Sequence, residues 1–183
     1  MRLSSDSELF DAESFQQQLA TDNNTLTTFR NAIEHARMVL DQRFLDRQSI
    51  FDIVHARAWF IDQLLIQAWQ AQEWPDAQLP CAIALVAVGG YGRAELHPHS
   101  DIDLLVLLEH EQCDHLHASI SSFLTFLWDI GLEVGHSVRT VKQCTDEARD
   151  DLSIITNLLE SRLVLGPPAL RESMREKIGQ VNG

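Results

Sequence analysis

The chain has 183 residues, of which 45% are apolar, so it can bury a core of ordinary domain size. Asp and Glu number 27 against 14 Lys and Arg, giving a net charge of −13. This balance argues against a surface for nucleic acid, because such surfaces need clustered positive charge, but it leaves open a nucleotide bound through a metal ion. The N-terminal stretch is acidic and lacks an apolar run, and no segment approaches the length of a membrane span. We therefore expect a cytoplasmic protein that does not enter a membrane.

The N-terminal part of the chain is predicted to be helical. Residues 1–24 are polar and predict a loose arm with one short helix near residues 10–19. Apolar residues then recur on one stripe over residues 26–44 and on a wider face over residues 49–74, as in amphipathic helices. Two prolines between residues 74 and 80 end the second helix. This pattern predicts an arm over 1–24, a helical segment over 25–78 and a core over 79–183.

The character of the sequence changes in the core. Two continuous apolar runs, residues 81–88 and 102–108, have the length of strands that are buried on both faces. A helix over 113–131 and a strand over 132–140 follow. Two further helices, over 141–149 and 151–162, precede a last helix that begins at Pro168. This order of elements predicts an α+β (α/β) fold with helices before and after the strands.

The cysteines give no sign of a metal site or of a set of disulfides. Cys81, Cys113 and Cys144 have a spacing that matches no zinc pattern, and an odd number fits no complete disulfide framework. We therefore expect three buried or half-buried thiols in a reducing compartment.

A glycine-rich turn follows the first predicted strand. Gly89 and Gly90 allow backbone amides to approach a ligand closely, and successive amides in such a turn suit a phosphate group. Most glycine turns between strands are only turns. The sequence "GGYGRAE" matches neither the dinucleotide-binding fingerprint nor the Walker A motif, so this turn alone is weak evidence of function.

Two aspartates open the second predicted strand and strengthen the case for a site. Asp101 and Asp103 are two residues apart, so in a strand their side chains point to the same face. Two adjacent carboxylates repel each other unless a cation lies between them, and Mg²⁺ prefers such oxygen ligands together with substrate phosphates. The alternative is a pair of solvated acids before a strand, which does not explain the glycine turn nearby. Ser100 and Arg93 are candidate phosphate contacts, with surface positions as their alternative.

The string "GGYGRAELHPHSDIDLLVL" resembles the DNA polymerase β-like nucleotidyltransferase superfamily. Among its branches it is similar to the bacterial protein-PII uridylyltransferase/uridylyl-removing enzymes. The segments "ARAWFIDQLLIQAW", "LWDIGLEVGHSVRT" and "TNLLESRLVLG" also resemble that branch, so the resemblance covers about residues 50–170.

The resemblance implies a fold and an activity. The fold is a polymerase β-like core with a small mixed sheet, preceded here by helices. The activity is transfer of UMP from UTP to a tyrosine of the PII signalling proteins in nitrogen regulation, with release of pyrophosphate. Carried over by position, Gly89 and Gly90 cradle the phosphates, while Asp101 and Asp103 hold Mg²⁺.

A third carboxylate is also implied, because superfamily members usually carry one on the strand beside the aspartate pair. Glu133, at the start of the predicted strand 132–140, is the candidate, and Asp129 is its competitor. Such an acid can accept the proton of a tyrosine hydroxyl, whose pKa is near 10.

The chain also departs from this branch. Its members are far longer and carry a later phosphohydrolase domain with a His-Asp pair, whereas the 183 residues contain no His-Asp dipeptide. We therefore expect an N-terminal fragment whose core is truncated at its C-terminal end. A related nucleotidyltransferase with another acceptor and a non-catalytic nucleotide-binding module remain as alternatives.

Overall fold

The structure, a computed structural model, describes residues 6–75 and 81–181. Three helices come first among these residues: α1 (Ala12–Thr21), α2 (Thr25–Leu45) and α3 (Ile50–Gln70). Strand β1 (Ile83–Ala87), the single helical turn α4 (Gly89–Gly92) and strand β2 (Ile102–Leu108) follow. A 3₁₀ turn (Asp114–Leu116) then leads into α5 (His117–Asp129), β3 (Val134–Thr140), α6 (Val141–Asp150), α7 (Leu152–Leu159), β4 (Arg162–Leu165) and α8 (Pro168–Val181).

The four strands form one mixed sheet in the order β3-β2-β1-β4. Strand β1 is antiparallel to both β2 and β4, whereas β2 is parallel to β3. Val86 pairs with Leu105, and Asp103 pairs with Gly135. The predicted mixed α/β architecture is thus confirmed.

Helices cover both faces of the sheet, which explains why β1 and β2 are almost wholly apolar. Leu85, Leu104 and Val106 pack in a core with α1, α2, α3 and α5. Val86 and Leu105 point to the opposite face and pack against α6, α7 and α8. Adjacent residues of one strand therefore serve two different cores, as the alternation of side chains along a strand requires.

Polar side chains define where several helices begin. The carboxylate of Asp11 accepts a hydrogen bond from the Ser14 N–H at 2.7 Å, and Asn24 caps α2 in the same way. Thr140 and Gln143 form a reciprocal capping box at the start of α6.

The N-terminal region differs from the expected loose arm. From residue 6 onward it packs onto the rest of the molecule, and α1 begins two residues after the predicted start near residue 10. Phe15 lies with its ring centroid 4.9 Å from that of Phe29, and Phe10 lies 5.8 Å from Phe60. Burial of these aromatic side chains, which a mostly polar composition concealed, anchors the segment. Because the N-terminal helices and the sheet share one core, the division at residue 24 stays a prediction. The second division, at residue 78, lies outside the described residues.

Two further features depart from the predictions. The helix expected over residues 151–162 ends at Leu159, and the chain continues into β4 at the edge of the sheet. The cysteines also differ, because the structure joins Cys81 and Cys113 as a disulfide and leaves only Cys144 as a buried free thiol among the described residues. No helix in residues 6–75 or 81–181 is both long and apolar enough to cross a membrane.

Candidate active site

The glycine turn lies directly against the start of β2. Gly89 begins α4 with a φ of 62°, a left-handed conformation that favours glycine. The Val88 N–H donates a hydrogen bond to the Asp103 backbone oxygen at 3.1 Å, which fixes the turn to the strand. As at the start of any helix, the N–H groups of Gly89 and Gly90 have no acceptor within the helix itself. They are therefore available to an anionic ligand.

The Asp103 carboxylate is held between two glycines. A Cβ atom added to Gly89 would lie 3.0 Å from Asp103 Oδ2, and one added to Gly135 on β3 would lie 2.8 Å from Asp103 Oδ1. Any other residue at either position would crowd the carboxylate. Two glycines far apart in the sequence thus make room for one acidic side chain.

Electrostatics at Asp103 favour a bound cation. Partial burial and the neighbouring negative charge of Asp101 together raise the pKa of Asp103 above its ordinary value. A cation near both carboxylates would offset the free-energy cost of burying Asp103 and the repulsion between the two negative charges. The donor set of oxygen atoms fits a hard divalent ion such as Mg²⁺.

Asp101 and Glu133 line one open cavity of about 480 Å³. Glu133 immediately precedes β3, and its backbone oxygen accepts a hydrogen bond from the Ile102 N–H at 3.0 Å. Since Ile102 pairs with Val134, Glu133 lies beside Asp101 in the parallel register. Asp129, the competing third acid, lines a different cavity on α5. This placement favours Glu133, whose role as third carboxylate remains a prediction.

The same cavity contains an aromatic side chain that sequence analysis did not single out. Trp128, near the end of α5, is 60% exposed, which is unusual for so large an apolar group. It lines the cavity together with Asp101 and Glu133. In the sequence it resembles an ordinary member of an amphipathic helix, so nothing marked it as part of a site.

The two candidate phosphate contacts have different surroundings. The Arg93 guanidinium lies beside the glycine turn, 3.8 Å from the position of a Cβ at Gly90. It forms ion pairs with Glu160 at 3.3 Å and with Glu95 at 3.7 Å, so a phosphate would have to compete with two carboxylates. Ser100 is exposed and lines a neighbouring cavity of about 490 Å³ between α2, α3 and the loop before β2, and Glu133 lines both cavities. The structure therefore places Arg93 next to the turn and Ser100 on a different cavity from Asp101.

A buried polar network, also missed by sequence analysis, connects the glycine turn to α3 and β4. The Tyr91 hydroxyl donates to Asp62 Oδ1 at 2.5 Å, and Arg162 on β4 pairs with the other oxygen of Asp62. Arg162 also donates to the Tyr91 backbone oxygen at 2.9 Å and lies over its ring. Tyr91 is only 1% exposed, and burial raises its pKa well above the ordinary value. The network thus links α3, the turn and β4 through the un-ionised side chain of Tyr91.

Comparison with known proteins identifies relatives of this arrangement. The nucleotidyltransferase domain family matches residues 71–164, about half of the chain. The bifunctional uridylyltransferase/uridylyl-removing enzyme of Pseudomonas putida (strain W619) is 53% identical over 171 residues, which cover 93% of this chain and 19% of that protein. The proteins of the same name from Pseudomonas aeruginosa (strain PAO1) and Stutzerimonas stutzeri (strain A1501) are 50% identical over 177 residues and 52% identical over 169 residues.

The matched region is a small part of these relatives. The chain spans about a fifth of the length of the curated proteins it matches, and the match lies in their N-terminal region. The glycine turn, both aspartates and β3 all lie within the residues that match the family.

Proposed function

Because the chain belongs to the nucleotidyltransferase domain family, we propose that it transfers UMP from UTP to a tyrosine hydroxyl of a PII signalling protein and releases pyrophosphate. Transferase chemistry follows from the family, and the name of the relatives supports the uridylyl group as the one transferred. The tyrosine of PII and the role in nitrogen regulation come from the resemblance of the sequence and belong to the proposal. The cytoplasmic location, expected from the composition of the sequence, belongs to the proposal as well.

One observation carries the proposal: the Asp103 carboxylate lies between the glycine turn and β3, with Asp101 beside it. Phosphoryl-type transfer needs a positioned polyphosphate and neutralised charge more than covalent help from the protein. The turn offers backbone N–H groups for phosphate oxygens, and the aspartates offer oxygen ligands for a cation. A structural turn alone would not require glycines on both sides of a carboxylate.

Asp101 and Asp103 are the residues that would hold Mg²⁺. When bound, Mg²⁺ supplies charge neutralisation to the phosphates and to the leaving pyrophosphate. The glycine turn lies on one side of Asp103 and β3 on the other. The amides of Gly89 and Gly90 would therefore orient the phosphate chain from the side of the turn. Glu133, on the β3 side, would accept the proton of the attacking hydroxyl. The cavity that it lines together with Trp128 supports this role.

Calorimetric titration with UTP tests the site. We expect UTP to bind with Mg²⁺ present and to bind much more weakly after chelation. Asp101→Asn should lower the affinity for Mg²⁺-UTP by about tenfold or more, because a charged ligand is lost. Asp129→Asn is the matched control, since Asp129 is an acid of the same region that lines another cavity. Equal affinity for UTP with and without Mg²⁺, in a folded protein, would contradict the proposed metal site.

The reaction is tested separately with UTP labelled at the α-phosphate. The chain is incubated with a PII protein and with its Tyr→Phe variant, and ATP is compared with UTP as donor. Label on the tyrosine protein alone, from UTP, is the expected result. Transfer from ATP in preference to UTP would favour a nucleotidyltransferase of another specificity.

A further inference from the structure

A cluster of three metal-binding side chains lies away from the carboxylates. Cys81 precedes β1, His110 lies in the loop after β2, and Cys113 precedes the 3₁₀ turn. Each offers a ligand atom, and these atoms all lie within 4.8 Å of one another. The two cysteines are joined as a disulfide with a Cα–Cα distance of 5.7 Å, and His110 Nδ1 is 4.0 Å from Cys113 Sγ. We call these residues the Cys–His–Cys cluster.

The atoms of the Cys–His–Cys cluster are those that zinc prefers. Zinc bonds thiolate sulfur at about 2.3 Å and imidazole nitrogen at about 2.0–2.1 Å, so ligand atoms at the corners of its tetrahedron are roughly 3.5–3.8 Å apart. The 4.0 Å between His110 Nδ1 and Cys113 Sγ is close to that spacing. Nδ1 accepts a hydrogen bond from the Gln112 N–H at 3.2 Å, which zinc would displace if it bound this nitrogen. Cys113 is fully buried whereas Cys81 is partly exposed, so the cluster has one anchored ligand and one side open to solvent.

We propose that the Cys–His–Cys cluster binds Zn²⁺ when its two cysteines are reduced. Reduction by a dithiol supplies two electrons and two protons, and it breaks the sulfur–sulfur bond to give two thiols as the dithiol becomes a disulfide. With a phosphine, the phosphine supplies the two electrons and becomes its oxide, while water supplies the oxygen atom and the two protons. Each thiol then releases its proton as its sulfur bonds zinc, and one His110 ring nitrogen provides the third bond. The fourth position is taken by a water molecule. The disulfide and the zinc complex are thus alternative states of the same two cysteines.

The topology explains why the sequence concealed this site. The spacing of residues 81, 110 and 113 matches no zinc motif, and the cysteines are 32 residues apart. Antiparallel pairing of β1 with β2 places Ile83 opposite Leu108, and this pairing brings the start of one strand to the end of the other. The glycine turn and the aspartates lie at the opposite ends of the same two strands. Zinc here would hold the strand ends together without touching the proposed nucleotide site.

The test is titration of the chain with Zn²⁺, and separately with Co²⁺, after reduction with a phosphine. We expect one zinc per chain that is lost in Cys81→Ser and in the double variant Cys81→Ser/Cys113→Ser. His110→Ala should weaken binding by about tenfold or more, because one ligand is removed. Cys144→Ser and His115→Ala are the matched thiol and imidazole controls, and they should bind as the unchanged protein does. The cobalt complex should show the absorption of thiolate-to-cobalt charge transfer.

Three readouts separate this site from the carboxylates and from unfolding. Oxygen ligands give no thiolate-to-cobalt band, so metal at Asp101 and Asp103 is not mistaken for metal at the cluster. Zinc should raise the thermal midpoint of the reduced protein and not that of the double variant, whose fold is checked by circular dichroism. If the double variant is unstable, Cys81→Ser alone replaces it in the comparison, because this substitution changes only a partly exposed side chain. The proposal is wrong if the reduced protein binds no more zinc than the cysteine variants, or if His110→Ala binds zinc as tightly as the unchanged protein.

Discussion

Replacing Gly135 by Ala tests the Asp103 site without removing any ligand. Gly135 lies on β3 directly beside Asp103, and its φ is outside the left-handed region, so Ala suits its backbone. The added methyl group would lie 2.8 Å from Asp103 Oδ1, whereas ordinary contacts begin at 3.4 Å. The carboxylate oxygen must therefore move by about 0.6 Å, the difference between these two distances.

A movement of this size matters to a metal ligand and little to the fold. Metal–oxygen distances vary by only about 0.2 Å between good sites, so the shift is roughly three times the tolerance. Disturbing the support of a ligand typically costs about 10–100-fold in metal affinity. Tenfold corresponds to about 1.4 kcal/mol of binding free energy. The free energy of unfolding should change by less than about 1 kcal/mol, because Ala in a strand is no worse than Gly.

Calorimetric titration with Mn²⁺ alone and with Mg²⁺-UTP measures the affinity, and urea unfolding measures stability. Gly179→Ala is the matched control, because a methyl group there meets no atom within 4 Å. Gly179 lies in α8, where Ala is favoured over Gly by about 1 kcal/mol, so this variant should be slightly more stable and bind metal normally. If Gly135→Ala binds Mn²⁺ and Mg²⁺-UTP as tightly as Gly179→Ala, Asp103 does not position the metal.

Three other predictions concern buried or titrating groups. Arg162→Met leaves the Asp62 carboxylate buried without its cationic partner, bonded only to the Tyr91 hydroxyl, and should cost about 3 kcal/mol at neutral pH by urea unfolding. Burial already raises the pKa of Asp62, so this loss should shrink as the pH falls and the carboxyl is protonated; a loss that grows in acid would contradict the reasoning. Because burial and Asp101 raise the pKa of Asp103, protons should displace Mn²⁺ at a higher pH than they would from an ordinary Asp. Calorimetric titration with Mn²⁺ over a pH series measures this loss of affinity. An affinity that stays constant down to about pH 4 would contradict the prediction. Burial raises the pKa of the Cys144 thiol to about 12, so mass spectrometry should find iodoacetamide on Cys144 in urea and scarcely any in the native protein.

The parts of the site that were predictable depend on local sequence. The apolar run over residues 102–108 marks β2, and the spacing of Asp101 and Asp103 fixes them on one face of that strand. Gly89 and Gly90 stand at the end of another apolar run, where a turn is required. Each of these signals lies within a few residues of the feature that it predicts, so no knowledge of the tertiary structure was needed.

The parts that were not predictable depend on contacts between distant residues. Tyr91 is 29 residues from Asp62, and Arg162 is 100 residues from Asp62, yet the three side chains meet in one network. The role of Gly135 depends on the parallel pairing of β2 and β3, which places it against Asp103. Strand β4 was missed for a different reason: its four residues follow a helical pattern directly and are too few to show a period of their own.

The buried network and the glycine turn together explain why the N-terminal helices accompany the sheet. Asp62 belongs to α3, and it binds both the Tyr91 hydroxyl within the turn and Arg162 on β4. A buried carboxylate without these partners would be strongly destabilising, so the turn, α3 and β4 are held in one arrangement. The amides of Gly89 and Gly90 are fixed by the same contacts, because Tyr91 is their neighbour in α4. We therefore interpret α3 as a structural support for the glycine turn and expect the sheet to lose the geometry of that turn when α3 is removed.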